Sequence, residues 1–104
     1  MVQDENLSVI KKIAQHYLSG SKVMLFGSRA RGTPRKDSDY DVLIIIPQTM
    51  SVNKKFAMRV SISKELVKNN IYCDLLIQSE KEIKIKQTLI GNVIRYAMEE
   101  AIAI

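Results

Sequence analysis

Two aspartates, Asp39 and Asp41, stand two positions apart directly before the apolar run 42–46. Side chains alternate between the two faces of a strand, so residues at i and i+2 share a face. Carboxylates held that close repel each other, and a divalent cation with a preference for hard oxygen ligands, such as Mg²⁺, relieves the repulsion while bridging to phosphate groups. The pair is therefore a predicted metal site.

A third carboxylate, Asp74, lies inside the apolar stretch 71–77. An ionised side chain is costly to bury there, so it needs a partner, a metal or a cleft. If this strand pairs beside the strand at 42–46, Asp74 joins Asp39 and Asp41 on one face. The three would then complete a two-metal site, although a register slip of one residue would send Asp74 to the other face.

Upstream of the aspartates, the apolar run 23–26 ends in Gly27-Ser28 and two arginines, Arg29 and Arg31. Gly27 permits a sharp turn and a close approach of the backbone to a ligand. Ser28 is predicted to cap a short helix whose free backbone N–H groups point toward a phosphate. Arg29 and Arg31 are suited to neutralising phosphate oxygens. This segment is a predicted anion cradle.

Each of these motifs has a simpler interpretation when it stands alone. A Ser-Asp-x-Asp string before a strand is commonly a turn in which side chains bond to the backbone. A Gly-Ser-x-x-x-Gly string is a weak signal, and one aspartate in a strand can mark an exposed face or a salt bridge. The conjunction favours an active site, because a cradle follows the first strand, paired carboxylates precede the second and a third carboxylate lies in the next.

The elements that position these residues follow from hydrophobic periodicity. Ser79 and Glu82 form a predicted capping box, and Gly91 divides the helical region that follows. Asp4 or Asn6 is the expected N-cap of the first helix. Strand patterns cover residues 23–26, 42–46, 71–78 and 101–104, and helical patterns cover residues 7–18, 51–69 and the region after 79. This order predicts an α/β (α+β) fold, a small mixed β-sheet with helices packed mainly on one side, in a single domain over residues 1–104.

Composition limits the class of protein. The 104 residues are 46% hydrophobic and 26% charged, which is typical of a globular domain with one modest core. The longest apolar run, 42–46, is too short to span a bilayer and no signal segment is evident, so a cytoplasmic protein is expected. The formal charge of +5 favours anionic partners without specifying one. A single cysteine, Cys73, excludes a disulfide within the chain.

Gly27-Ser28, ten intervening residues and Asp39-Tyr40-Asp41 together resemble the signature of the DNA polymerase beta-like nucleotidyltransferase superfamily. The wider string GSRARGTPRKDSDYDVLIII is similar to its minimal, stand-alone branch, and the resemblance extends over nearly the whole chain. It implies that Ser28 helps hold a triphosphate, that Asp39 and Asp41 bind metal, and that Asp74 completes the triad as base. Tyr40 departs from the aliphatic residue usual in this branch, and its ring is expected either in the core or toward the nucleotide.

The same resemblance implies transfer of a nucleoside monophosphate, AMP from ATP, with two Mg²⁺ ions bound by Asp39, Asp41 and Asp74. It also implies a protein partner, because members of this branch are commonly antitoxins of HEPN-domain ribonuclease toxins and in some cases place AMP on a tyrosine of the toxin. Direct binding of nucleic acid is not required. Larger relatives carry a further domain that helps to choose the acceptor. Here a partner surface is expected to supply the acceptor.

Two other functions remain open at this point. In the first, the chain is a binding module that neutralises a HEPN toxin by occlusion, without catalysis. In the second, it modifies a small hydroxylated molecule such as an aminoglycoside. The short chain disfavours the second, because little sequence remains to form another wall of a pocket.

Overall fold

The computed structural model describes residues 4–33 and 39–104, and within them the elements follow the predicted order. In chain order they are α1 (Glu5–Tyr17), β1 (Lys22–Phe26), α2 (Gly27–Arg31), β2 (Tyr40–Ile46), α3 (Val52–Lys68), β3 (Cys73–Ser79), α4 (Glu80–Lys86), α5 (Val93–Glu100) and β4 (Ile102–Ala103). Asp4 is the N-cap of α1 and accepts a hydrogen bond from the backbone N–H of Asn6. None of the helices in the described ranges has the length and apolarity needed to cross a bilayer.

The strands form one mixed sheet in the spatial order β3-β2-β1-β4. β2 runs parallel to β3 and antiparallel to β1, and β1 runs antiparallel to β4. The parallel pair requires a crossover connection, which contains α3. The predicted α/β fold with a small mixed sheet is confirmed.

Alternation along β2 divides its side chains between two hydrophobic clusters. Val42, Ile44 and Ile46 belong to the larger cluster, which α1 and α3 cover. Leu43 and Ile45 belong to a smaller cluster on the opposite face, where α4 and α5 contribute. The two longest helices therefore lie on one face, as predicted, and two short helices cover part of the other. We refer to the face of the sheet that α1 and α3 cover as the first face, and to the opposite face as the second face.

Ser79 fixes the junction between β3 and α4. It is fully buried, its hydroxyl accepts from the backbone N–H of Glu82 at 3.1 Å and lies 2.9 Å from Oγ1 of Thr49, and its own N–H donates to Glu82 Oε1 at 2.8 Å. The predicted capping box is thus confirmed. Nζ of Lys55 donates to both carboxylate oxygens of Glu82, at 2.8 and 2.7 Å, which ties α3 to the start of α4.

The contacts of Glu82 predict a pH-dependent contribution to stability. Burial alone would raise the pKa of this carboxyl, but hydrogen bonds from Lys55 and Ser79 outweigh it and lower the pKa below 4.5. A carboxyl with a lowered pKa stabilises the fold above its unfolded pKa and loses that contribution as the pH falls through its folded pKa. Glu82→Gln should therefore lower the free energy of unfolding by about 1 kcal/mol at pH 7. In urea denaturation the difference from wild type should shrink toward pH 3.

The control is Glu80→Gln, because Glu80 pairs with Lys22 at the surface, where an ion pair contributes little to the free energy of unfolding. A Glu82→Gln effect of constant size between pH 7 and pH 3 would contradict the assignment.

Candidate active site

The parallel register of β2 and β3 sets Asp41 directly beside Asp74. Side chains at paired positions of neighbouring strands point to the same face, so both carboxylates lie on the second face, together with Leu43 and Leu76. On the other side of β2, Asp41 is paired with Phe26, the last residue of β1. The carboxylates thus lie at the end of the sheet where β1 finishes and where β2 and β3 begin.

Negative charge accumulates around Asp41. Burial raises the pKa of this carboxyl, and the neighbouring charges of Asp74, Asp39 and Glu100 raise it further, while Arg31 opposes them. Asp39 is exposed and precedes β2 by one residue. The site therefore concentrates carboxylates that repel one another, and a bound cation would relieve that repulsion.

Divalent metal fits the donor chemistry of this site, because Asp41 and Asp74 on adjacent strands, with Asp39 just before β2, supply the hard oxygen ligands that Mg²⁺ prefers. Their side chains do not yet converge. Among residues 4–33 and 39–104, no three His, Cys, Asp or Glu side chains approach closely enough to enclose an ion.

Gly27 brings the predicted cradle against the carboxylates. Its φ of +73° lies in the left-handed region that favours glycine. A Cβ added to Gly27 would overlap Oδ2 of Asp41 and stand 3.0 Å from its Cγ. The turn after β1 and the Asp41 carboxylate therefore pack so closely that a side chain at position 27 is excluded.

Ser28 does not cap a helix, contrary to the prediction. α2 begins one residue earlier, at Gly27, and its N-cap is Phe26, which makes no side-chain capping hydrogen bond. Ser28 lies in the first turn, and its carbonyl accepts from the N–H of Thr33 at 3.0 Å. The early start has a local cause, because the left-handed Gly27 turns the chain before Ser28 is reached. A contact between Ser28 and phosphate stays a prediction.

Arg31 pairs with Glu100, a residue that was not predicted at this site. Nη1 of Arg31 lies 2.7 Å from Oε2 of Glu100, and the backbone N–H of Gly27 donates to Oε1 of the same carboxylate at 2.9 Å. The hydrogen bond from Arg31 lowers the pKa of Glu100, and the Gly27 N–H adds to this against the opposing effect of burial. No motif identifies Glu100, because it is 73 residues from Gly27 and ends a short amphipathic helix.

Arg29 lies on the other side of β2, over the ring of Tyr40. Its guanidinium carbon is 4.0 Å from the ring centroid, and Nη1 is 3.7 Å from Oδ2 of Asp4. The Tyr40 hydroxyl donates to Asp4 and accepts from Asn6 Nδ2 at 3.2 Å. Tyr40 is buried in the first face, so its ring packs in the core and not toward the second face, which carries Asp41. Arg29 thereby joins the start of α1 to the start of β2, and its predicted phosphate contact remains untested.

Residues 34–38, which belong to the ten-residue spacer of the signature, lie outside the described residues.

A second glycine allows the effect of the contact between Gly27 and Asp41 on stability to be distinguished from the effect of the left-handed backbone conformation. Gly32 has nearly the same φ, +76°, but a Cβ there would meet nothing within 4 Å. Gly32→Ala should therefore cost about 1 kcal/mol of unfolding free energy through the left-handed conformation alone. Gly27→Ala should cost at least about 1 kcal/mol more, because Asp41 must also move. Urea denaturation measures both variants, and equal losses would show that position 27 has room for a side chain.

Comparison with known proteins agrees with this architecture. The sequence matches the family model for the nucleotidyltransferase domain over residues 7–104. No curated protein matches the sequence. A candidate nucleotidyltransferase from Sulfolobus solfataricus has a similar structure, with a TM-score of 0.62 and 22% identity over 93% of this chain and 77% of that chain. A candidate minimal nucleotidyltransferase has a TM-score of 0.58 and 20% identity over 95% of this chain and 89% of its own.

At these identities the structural likenesses show a shared fold, whereas the family match covers nearly the full sequence, including the Gly27 turn and all three aspartates. The chain therefore belongs to the nucleotidyltransferase domain family.

Proposed function

We propose that this protein transfers AMP from ATP, in a metal-dependent reaction, to a hydroxyl group on a HEPN-domain partner protein, as its antitoxin. The observation that carries the chemistry is the in-register pair Asp41 and Asp74 packed against the Gly27 turn. Membership of the nucleotidyltransferase domain family supports nucleotidyl transfer in general. The HEPN partner is supported by the resemblance of the signature to the minimal branch.

In the proposed reaction, the acceptor hydroxyl oxygen attacks the α-phosphorus of ATP. A phosphorus–oxygen bond to the acceptor forms, the bond from the α-phosphorus to the bridging oxygen breaks, and pyrophosphate leaves. Asp74 takes the hydroxyl proton as general base. Asp39 and Asp41, with Asp74, would hold Mg²⁺, which when bound activates the hydroxyl and stabilises charge on the phosphates.

The cradle supplies donors for the triphosphate. The N–H of Gly27 and the guanidinium of Arg31 already hold a carboxylate, that of Glu100, in the structure. Groups that bind one anion with charge-assisted hydrogen bonds are suited to another. Ser28, to which the resemblance assigns a triphosphate contact, and Arg29, whose guanidinium is suited to phosphate oxygens, complete the proposed phosphate contacts.

A protein acceptor is supported by a groove of about 660 Å³ beside Asp74, between α3 and β3. β3 is an edge strand of the sheet formed by the described residues, so the groove is open along its length. Its lining combines apolar and basic side chains with one acidic residue: Phe56, Arg59, Val60, Ser63, Lys64, Val67, Lys68, Cys73, Asp74 and Leu75. An open groove of this kind accommodates a segment of a protein with acidic residues better than it encloses a small molecule.

Occlusion without catalysis is a second candidate, favoured by exposed apolar side chains on α3. Val52 is 81% exposed and Phe56 is 58% exposed. Large apolar groups in such positions are typical of surfaces that bind another protein. A binding surface of this kind can neutralise a toxin whether or not the aspartates act.

Label transfer tests the catalytic proposal. The protein is incubated with ATP labelled at the α-phosphate, Mg²⁺ and the product of the adjacent gene. Wild type should label that partner, EDTA should abolish labelling, and Asp41→Asn or Asp74→Asn should reduce it by about 100-fold or more, because general-base catalysis and metal binding are both impaired. Glu99→Gln is the control, since Glu99 is exposed and pairs with Arg95 within α5. Unlabelled partner, or undiminished labelling by the Asp41 variant, would refute the proposal.

Protection of cells separates catalysis from occlusion. Phe56→Glu should weaken partner binding by about tenfold, because a charge replaces an apolar contact, while ATP binding stays unchanged. Ile90→Glu is the matched control, since Ile90 is 90% exposed but lies in the turn between α4 and α5. Catalysis predicts that Asp74→Asn fails to protect cells from the toxin. Full protection by Asp74→Asn, with loss of protection by Phe56→Glu, would establish occlusion instead.

A further inference from the structure

We propose that Glu100 is an internal competitor for the phosphates of the nucleotide, and that its carboxylate must leave the cradle before a triphosphate binds. This inference rests on the proposed function, because it assigns the same cradle to ATP. The residues proposed above promote nucleotide binding, whereas Glu100 would oppose it.

The Glu100 carboxylate is bound in the cradle as an anionic ligand would be. Both carboxylate oxygens are used: Oε1 accepts from the Gly27 N–H at 2.9 Å and Oε2 accepts from Arg31 Nη1 at 2.7 Å. One donor is a backbone N–H and the other is a guanidinium, and both make charge-assisted hydrogen bonds to phosphate oxygens as they do to carboxylates. A carboxylate and a phosphate cannot occupy these donors together.

The negative charge of Glu100 would also repel the nucleotide. Glu100 accepts from the N–H of Gly27, and a Cβ built on the same glycine would overlap Oδ2 of Asp41, so Glu100 adds negative charge to a turn that already holds an aspartate. An incoming triphosphate is itself strongly anionic. Rotation of Glu100 out of the cradle removes one repulsive charge and releases Arg31 to pair with a phosphate.

The backbone on both sides of Glu100 is held in secondary structure, so departure of the carboxylate from the cradle involves the side chain alone. Glu100 is the last residue of α5, and Ala101 continues in an extended conformation into β4. β4 pairs with β1 through Met24 and Leu25, so the chain on the C-terminal side of Glu100 is held on the sheet. The side chain itself is 29% exposed and has solvent available on rotation. Displacement therefore requires a new rotamer and no loss of secondary structure.

Binding of ATP in the presence of Ca²⁺, measured by isothermal titration calorimetry, tests the proposal. Glu100→Gln removes the charge and replaces one acceptor oxygen with a donor that opposes Arg31, so its Kd for ATP should fall about tenfold. Glu100→Asp keeps the charge but is too short to reach both donors, and its Kd should also fall. Glu99→Gln is the matched control, one residue away on the exposed side of α5, and its Kd should stay within about twofold of wild type.

The backbone amide of Gly27 gives a readout that does not depend on affinity. In ¹⁵N-resolved NMR spectra its resonance should shift in free Glu100→Gln, because the hydrogen bond to Oε1 is weakened, and should stay unchanged in Glu99→Gln. Inorganic triphosphate added to wild type should shift the same resonance.

Two results would overturn the inference while leaving the proposed function intact. One is ATP binding by wild type with an equal or weaker affinity in both Glu100 variants. The other is an unchanged Kd with a lower kcat in Glu100→Gln, which would make Glu100 a positioning residue for Arg31. Absence of ATP and triphosphate binding in wild type and in every variant would instead refute the proposed function, and the inference with it.

Discussion

The parallel pairing of β2 with β3 is the constraint on which the candidate site depends. In this register Asp41 lies beside Asp74, and the residues that follow each of them, Val42 and Leu75, both point into the larger core. A slip of one residue would turn the apolar side chains of β3 out of that core while moving Asp74 to the wrong face. The hydrophobic pattern that stabilises the sheet therefore also positions the carboxylates, and α3 supplies the crossover that makes the parallel pairing possible.

Burial of apolar side chains on two faces leaves the carboxylates at the end of the sheet, where they meet the Gly27 turn. The absence of a side chain at this position lets the backbone of α2 approach Asp41. The Asp41 carboxylate and the Gly27 N–H, which donates to Glu100, thereby lie at the same turn. The proposed metal-bound triphosphate needs both kinds of group, because the cation requires oxygen ligands while the phosphates require donors.

Two arginines from the same five-residue helix are held in different ways. Arg29 stacks on buried Tyr40 and pairs with Asp4, which braces α1 against β2 just beside Asp39. Arg31 reaches the opposite side and pairs with Glu100 at the end of α5. Each guanidinium thus links α2 to a distant part of the chain. After burial, the charges of Asp74 and Asp39 act most strongly on the pKa of Asp41, and the Arg31–Glu100 pair adds two smaller effects of opposite sign.

Local patterns in the sequence determined the order of helices and strands, the capping box at Ser79 and the glycine turn at position 27, because periodicity, capping and φ preference act over a few residues. The sequence also identified Asp39, Asp41 and Asp74 as chemically unusual. Only the tertiary structure decided that Asp74 lies beside Asp41, that Arg29 is stacked in the first face and that Glu100 occupies the cradle. These outcomes depend on strand register and on contacts between residues far apart in the chain, for which no local signal exists.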